Sequence, residues 1–211
     1  MAYYCRLSFN SNGWFTPSGH QGKSRNSGNH ENEFGFGFEE WLFNDREFKN
    51  KNKQKCHLGY IDPLRGYIEE QHIHQDLVLY TIRRTTAGTE RFIVARLEKE
   101  EWRFINHEEY LTLRENNAPQ IAEMRNELMA TMPMLRARVI LNRFDQQRDC
   151  LDWLGQPTTT HRLFNIQILK NPFFSIMERI TNETLCPDWH ISKLNRFTLY
   201  DSENFNHEDC N

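Results

Sequence analysis

The chain has 211 residues, is 38% hydrophobic and carries a formal net charge of −3. That is enough length for a sizeable core, and the sign excludes a protein that coats nucleic acid by charge alone. No stretch approaches the ~20 apolar residues of a membrane-spanning helix.

The opening, MAYYCRLSFN, has no basic region followed by an apolar run, so no secretory signal is expected. Five scattered cysteines (Cys5, Cys56, Cys150, Cys186 and Cys210) form no CxxC pair. Reduced thiols in a cytoplasmic protein are the natural expectation. Residues 2–10 alternate, with Tyr3, Cys5, Leu7 and Phe9 on one face and Tyr4, Arg6 and Ser8 on the other, which predicts a half-buried strand. The next twenty-odd residues are rich in Ser, Asn, Gly and His and read as a long mobile loop, a type that is usually functional or disordered. NEFGFGFEEWLFN (32–44) then sets four phenylalanines, a tryptophan and two glycines into thirteen positions. Its FEEWLFN part fits a short helix or a turn into a strand.

After a lysine-rich loop, CHLGYIDP reads as a short strand ended by Asp62-Pro63. DLVLYTIRRT (76–85) and ERFIVARLE (90–98), joined by TAG, predict an antiparallel hairpin. Residues 77–82 are apolar on both faces, as in a central strand. HEEYLTLRE is a candidate helix. PQIAEMRNELMATM is a stronger one, with Pro119 suited to its first turn and Ile121, Met124, Leu128 and Met132 on one face. Further expectations are strands at ARVILNRF, HRLFNIQILK and RFTLYD (196–201), helices at DQQRDCLDWLG and NPFFSIMERI, and a polar tail. The fold class is therefore α+β, one domain with a mixed or barrel-like sheet.

The charge is unevenly spread. Residues 1–60 carry eight Lys/Arg against six Asp/Glu, and residues 61–211 carry eighteen against twenty-three. The early cations fall in two loops, Lys23 and Arg25 in one and Lys49, Lys51, Lys53 and Lys55 in the other. Such runs are usually solvated surface, and a local phosphate-facing patch is the alternative.

Most catalytic signatures are missing. There is no GxxxxGK[ST] loop and no GxGxxG after a strand. Glu47-Phe48-Lys49 is the one Glu-x-Lys triplet, and no aspartate precedes Asp45 to complete a nuclease core. His72 and His74 share a face on a strand, with Cys56-His57 upstream, yet without a dense ligand quartet they read as a polar strand entrance rather than a metal site. No serine or cysteine has a nucleophile context. No catalytic residue, metal or cofactor is expected.

The remaining signal is the ring cluster Trp14, Phe15, Phe34, Phe36, Phe38, Trp41, Phe43 and Tyr60. The ordinary reading of the phenylalanines is core. The tryptophans differ: Trp14 lies among turn-forming residues, and Trp41 follows Glu39-Glu40. Rings beside amides and carboxylates suit a base pocket, in which stacking takes the flat face and polar groups read the edge.

The segments YYCRLSFN, NGW, GFGFEEWLFN, HLGYIDP and the hairpin DLVLYTIRRTTAGTERFIVARLE, in that order, resemble the PUA-like superfamily of EVE, YTH, ASCH and SRA-type domains. Within the hairpin the similar positions are Asp76, Val78 and Tyr80, then Ile93, Val94 and Ala95. GFGFEEWLF is also similar to reader modules of modification-dependent restriction proteins. The resemblance covers residues 2–98, and the helical tract at 107–132 reads as an insertion into such a domain. It implies a small curved barrel with flanking helices that binds DNA or RNA and takes an extruded, modified base into an aromatic cage. Trp14 and Trp41, with Tyr60, would sandwich the base, and Asn10, Asn12 or Asp62 would bond its edge. Lys23, Arg25, Lys49, Lys51 and Lys53, with Arg6 as a weaker candidate, would hold phosphates. The expected function is a non-catalytic reader in a restriction or defence system, its nuclease or motor being a separate chain or domain. The alternatives are a nuclease or other hydrolase using Glu39, Glu40 and a histidine, and a protein-interaction module whose rings are all core.

Overall fold

A computed structural model describes residues 2–23, 34–64, 75–132, 144, 162–169 and 197–200. Within them, eight strands and two α-helices form an α+β fold of two four-stranded sheets.

The first sheet runs β5-β4-β1-β8. Its centre is β1 (Ala2–Leu7) and β4 (Asp76–Thr85), which are parallel, while β5 (Gly88–Leu97) and β8 (Phe197–Tyr200) flank them antiparallel. The uninterrupted apolar run of β4 has the expected cause: Leu77 through Thr81 are buried on both faces of an interior strand. A bulge at Leu79/Tyr80 sets Leu79 against Ala95 and Tyr80 against Ile93, leaving Val94 as the extra residue. Both Val94 and Ala95 are thereby buried in the same core.

The second sheet runs β2-β3-β7-β6, all antiparallel: Phe48–Lys49, Lys55–Gly59, Ile166–Ile168 and Trp102–Phe104. Alternation along β3 sends Leu58 to one face and His57 to the other. One core lies between the sheets, uniting Cys5, Leu7, Leu79 and Leu97 with Trp102, Phe104, Ile166 and Ile168. A second lies between the other face of this sheet and the helices, uniting Phe48 and Leu58 with Tyr110, Leu113, Ile121, Met124 and Leu128. The order of layers is sheet, sheet, helices.

The helices are α1 (His107–Asn116) and α2 (Ala118–Thr131). Asn106 caps α1 by accepting the amide of Glu109 at 2.8 Å. Asn117 separates the two helices, and Pro119 sits in the first turn of α2, where a missing N–H costs nothing. Ile121, Met124 and Leu128 are buried at the spacing read from sequence.

Several expectations are corrected. The described strands form two open sheets rather than a small barrel. The first strand ends at Leu7, because Ser8 and Asn10 turn their polar groups inward. The strand expected from Cys56 up to its end at Asp62-Pro63 stops at Gly59, and a 3-10 turn follows at Asp62–Leu64. FEEW (Phe38–Trp41), by contrast, is the short helix that was one of its two expected forms, of the 3-10 kind. Of the strand expected across HRLFNIQILK, Ile166–Ile168 is β7. The helices expected near 145–155 and 171–180, and most of the strand at 137–144, lie outside the described residues.

Candidate functional site

The ring-rich segment faces inward. Trp14 is 5% exposed, Trp41 2% and Tyr60 2%, so none presents a face to a ligand. Trp14 and the preceding Gly13 both have positive φ, 61° and 67°. That pair of left-handed residues turns the indole under the loop, where its Nε1–H donates to the Ser8 carbonyl at 3.1 Å. The backbone carbonyl of Trp14 also accepts from Phe43 at 2.9 Å. Trp41 packs edge-on against Phe36 and Phe144 at centroid distances of 5.2 and 5.9 Å. Its Nε1–H donates to Glu127 of α2 at 2.6 Å. Tyr60 packs on Phe38, and its hydroxyl donates to Asp62. The glycines serve close approach within the chain itself. A Cβ on Gly35 would meet the His20 ring at 2.8 Å, and one on Gly37 would meet Ser8 Oγ at 2.5 Å. The base sandwich expected of Trp14, Trp41 and Tyr60 is thus replaced by packed core.

Beneath these rings lies a closed polar cluster. Glu39 and Glu40 are 1% and 0% exposed. Glu39 Oε2 accepts both the amide and the hydroxyl of Ser8, at 2.8 and 2.9 Å, and Oε1 accepts the Asp62 amide at 3.1 Å. Glu40 Oε1 takes the Gly37 amide and the Lys23 ammonium, both at 2.9 Å. Its Oε2 takes Asn10 Nδ2 and the Ser18 amide, both at 2.8 Å. Burial pushes the Glu40 carboxyl above its ordinary range, against the pull of Lys23, Ser18 and Gly37. Burial, then the nearby Glu39, pushes the Cys5 thiol well up.

Four expected ligand-facing groups belong to this cluster or its rim. Lys23 is buried, donating also to the carbonyls of Gly19 and Gly35. Asn10 bonds Glu40 and the Thr16 carbonyl while its Oδ1 accepts the amides of Asn12 and Trp14. Asn12 donates to Thr16 Oγ1 and the Pro17 carbonyl. Asp62 is half-buried and accepts from Tyr60. The loop that follows residue 10 therefore starts as a folded pad, and its residues 11–23 are held by the groups that were expected to hold a ligand.

The remaining phosphate candidates separate. Arg6 is half-buried in the first sheet, in register with Tyr80. Arg25 lies outside the described residues. Lys49, Lys51 and Lys53 share one hairpin with Lys55, and all four are exposed. The sequence there is KNKNKQK, a strict alternation of cations and amides. Asn50 builds the tip: its Oδ1 accepts the amides of Asn52 and Gln54 at 2.9 and 3.0 Å, and its Nδ2 donates to Gln54 Oε1 at 3.3 Å. The backbone closes with Asn50 N–H to the Gln54 carbonyl at 2.8 Å and Lys53 N–H to the Asn50 carbonyl at 2.9 Å. Lys53 sits at φ 60°, a left-handed position where glycine or asparagine is the cheaper occupant.

The hairpin is fixed to the helix junction. Asn117, fully buried, accepts the Lys49 amide at 2.7 Å and donates to the Lys49 and Leu113 carbonyls at 2.8 and 2.7 Å. Asn116 donates to the Asn50 carbonyl at 3.0 Å. Sequence reasoning placed the lysines in a loop and missed both asparagines, although an Asn-Asn pair between two helical patterns was a visible interruption. Lys49 and Lys55 stand directly opposite each other across the ladder, and Glu47 pairs with Lys55.

Nearby, Arg103 donates to both oxygens of Glu109 and to Gln167 across the sheet. That hydrogen bonding holds the Glu109 carboxyl below its ordinary range, with the charges of Arg103 and Lys51 helping against desolvation. Cys56 is pushed up to about 12, chiefly by burial, so its thiol is not a nucleophile near neutrality. His57 is buried, its Nε2 lies 2.6 Å from the Leu42 carbonyl, and desolvation lowers its pKa. Among the described residues no three His, Cys, Asp or Glu side chains gather as metal ligands, and His72 and His74 lie outside them. Also among the described residues, no helix is long and apolar enough to cross a membrane.

Comparison with known proteins gives no match: no family model fits the chain, and no curated protein and no solved structure is similar to it.

Proposed function

We propose that this chain is a non-catalytic nucleic-acid-binding module, of the PUA-like kind its opening segments resemble, which grips phosphates with the 49–55 hairpin. The carrying observation is four exposed lysines on seven residues whose backbone is clamped by Asn50 and Asn117. Like charges directly opposite on a ladder cost up to ~1 kcal/mol, as does a lysine held left-handed. Local rules broken together on a rigid support are what a functional surface looks like. An acidic body behind a small cationic tip confines binding to that tip, which fits a net charge of −3. Sandwiching of a flipped base by Trp14, Trp41 and Tyr60 forms no part of this reading, because all three rings are core. A nuclease or motor acting on the bound strand would be a separate chain or domain.

The test is fluorescence anisotropy with labelled oligonucleotides across a salt series. With three to four phosphates engaged, log K should fall by about 3 per decade of salt. The triple variant Lys49→Glu, Lys51→Glu, Lys53→Glu should bind about a hundredfold more weakly and lose most of that slope. It should melt near the parent, since exposed substitutions move stability by about 0.5 kcal/mol. An unchanged affinity in the triple variant, or no salt-sensitive binding by the parent, overturns the proposal.

A further inference from the structure

We infer that the hairpin enters the major groove of duplex DNA tip first, and that Asn52 reads an adenine edge there; this rests on the proposed phosphate grip. Three features converge on it. The first is width. Two antiparallel strands lie about 4.8 Å apart, and the major groove of B-DNA, about 12 Å wide, admits such a two-stranded ribbon. The deep, narrow major groove of A-form RNA does not admit reading side chains. The second is the alternation KNKNKQK, which supplies lysines for flanking phosphates and amides for base edges within one element.

The third is which amide is available. Asn50 spends its side chain on the tip, and Gln54 accepts from it. Asn52 is exposed at the turn, and among the described residues only its backbone N–H is engaged. A free carboxamide offers one donor and one acceptor side by side, which matches adenine N7 and N6 in the major groove. Lys51 and Lys53 flank it on both sides in sequence, and Lys49 and Lys55 straddle the base of the hairpin. The backbone around Asn52 is held by Asn50 and, through Asn116 and Asn117, by the helices. A read-out group needs such a rigid mount.

The experiment measures binding of the full chain to four probes. These are an A·T duplex, the same duplex with 7-deaza-adenine (N7 removed), a G·C duplex, and double-stranded RNA. The parent should prefer the A·T duplex over the 7-deaza and G·C duplexes by about tenfold, and should bind double-stranded RNA more weakly still. Asn52→Ala should erase the preference among the DNA duplexes while keeping the salt slope and the melting temperature. Equal affinity for RNA and DNA duplexes overturns the groove assignment, and a preference that survives Asn52→Ala overturns the reading role. If the triple lysine variant keeps full affinity, the proposed function itself falls, so the two failures are separable.

Discussion

Residues 34–44 and residues 49–55 are neighbours in sequence, and both look from composition like surfaces that wait for a ligand. The first carries rings and carboxylates, the second cations. The structure seals the first, with Phe36, Trp41 and Leu42 inside and Glu39 and Glu40 fully bonded. It leaves the second open, with side-chain hydrogen bonds spent on shaping the tip and none of its lysines drawn into a core. The difference teaches that a rich set of recognition groups marks a site only when the chain does not use those groups on itself. The 34–44 segment finds Ser8, Asn10, Ser18 and Lys23 within the same chain, whereas the hairpin is met at its backbone by Asn116 and Asn117, and among the described residues the ion pair of its lysines is Lys55 with Glu47.

Substitutions sharpen or break that contrast. The largest effect is expected from Trp41→Ala, which empties a site packed by Phe36 and Phe144 and leaves Glu127 to Arg46 alone of its two described partners. A loss of about 3–5 kcal/mol in urea unfolding is expected, with unchanged oligonucleotide affinity per folded molecule. A loss of affinity without a loss of stability would restore Trp41 to a ligand site.

Next comes Lys23→Met, which leaves the Glu40 carboxylate buried beside no cation. About 3 kcal/mol should be lost at pH 7, the low end for a broken buried pair, because a proton can replace the ammonium. The sign follows from the raised folded pKa of Glu40. Its stabilising contribution is complete below the ordinary carboxyl range and declines as pH rises through the folded value. Removing Lys23 raises that value further, so the variant's deficit should shrink as pH falls from 7 toward 5. The salt slope of nucleic-acid binding should not change, since the Lys23 ammonium is buried against Glu40. A pH-independent deficit would mean that Lys23 acts by packing alone.

The smallest effect is expected from Lys53→Gly. Relief of a left-handed lysine is partly offset by the greater backbone freedom that glycine loses on folding. A gain of about 0.5 kcal/mol is expected, with a modest loss of affinity. A clear destabilisation would show that the lysine side chain packs rather than waits.

The β4–β5 hairpin and α2 were legible in the sequence because each depends on near neighbours: an apolar run with a turn, and a 3- and 4-residue spacing behind Pro119. What was not legible depends on distant partners. Phe48–Lys49 is too short to show any period, and becomes a strand only because β3 pairs with it and Asn117 grips its backbone. Lys23 reads as a solvated cation until Glu40, seventeen residues on, is seen to need it. Trp14 reads as exposed because it sits among turn formers, and its positive φ turns it inward. The cationic alternation at 49–55 was readable, but its rigidity and its single available amide were not.

The pairing of β1 with β4 and β8 governs how the chain is made. Ala2 meets Asp76 on one side and Tyr200 on the other. At synthesis rates of about 5–20 residues per second, the opening strand leaves the ribosome some ten seconds or more before its last neighbour exists. Throughout that interval at least one row of its amides and carbonyls, and both rows until β4 is made, is open to strands of other nascent chains. Truncation before Phe197 would make that exposure permanent, and yield in the absence of chaperones should fall accordingly.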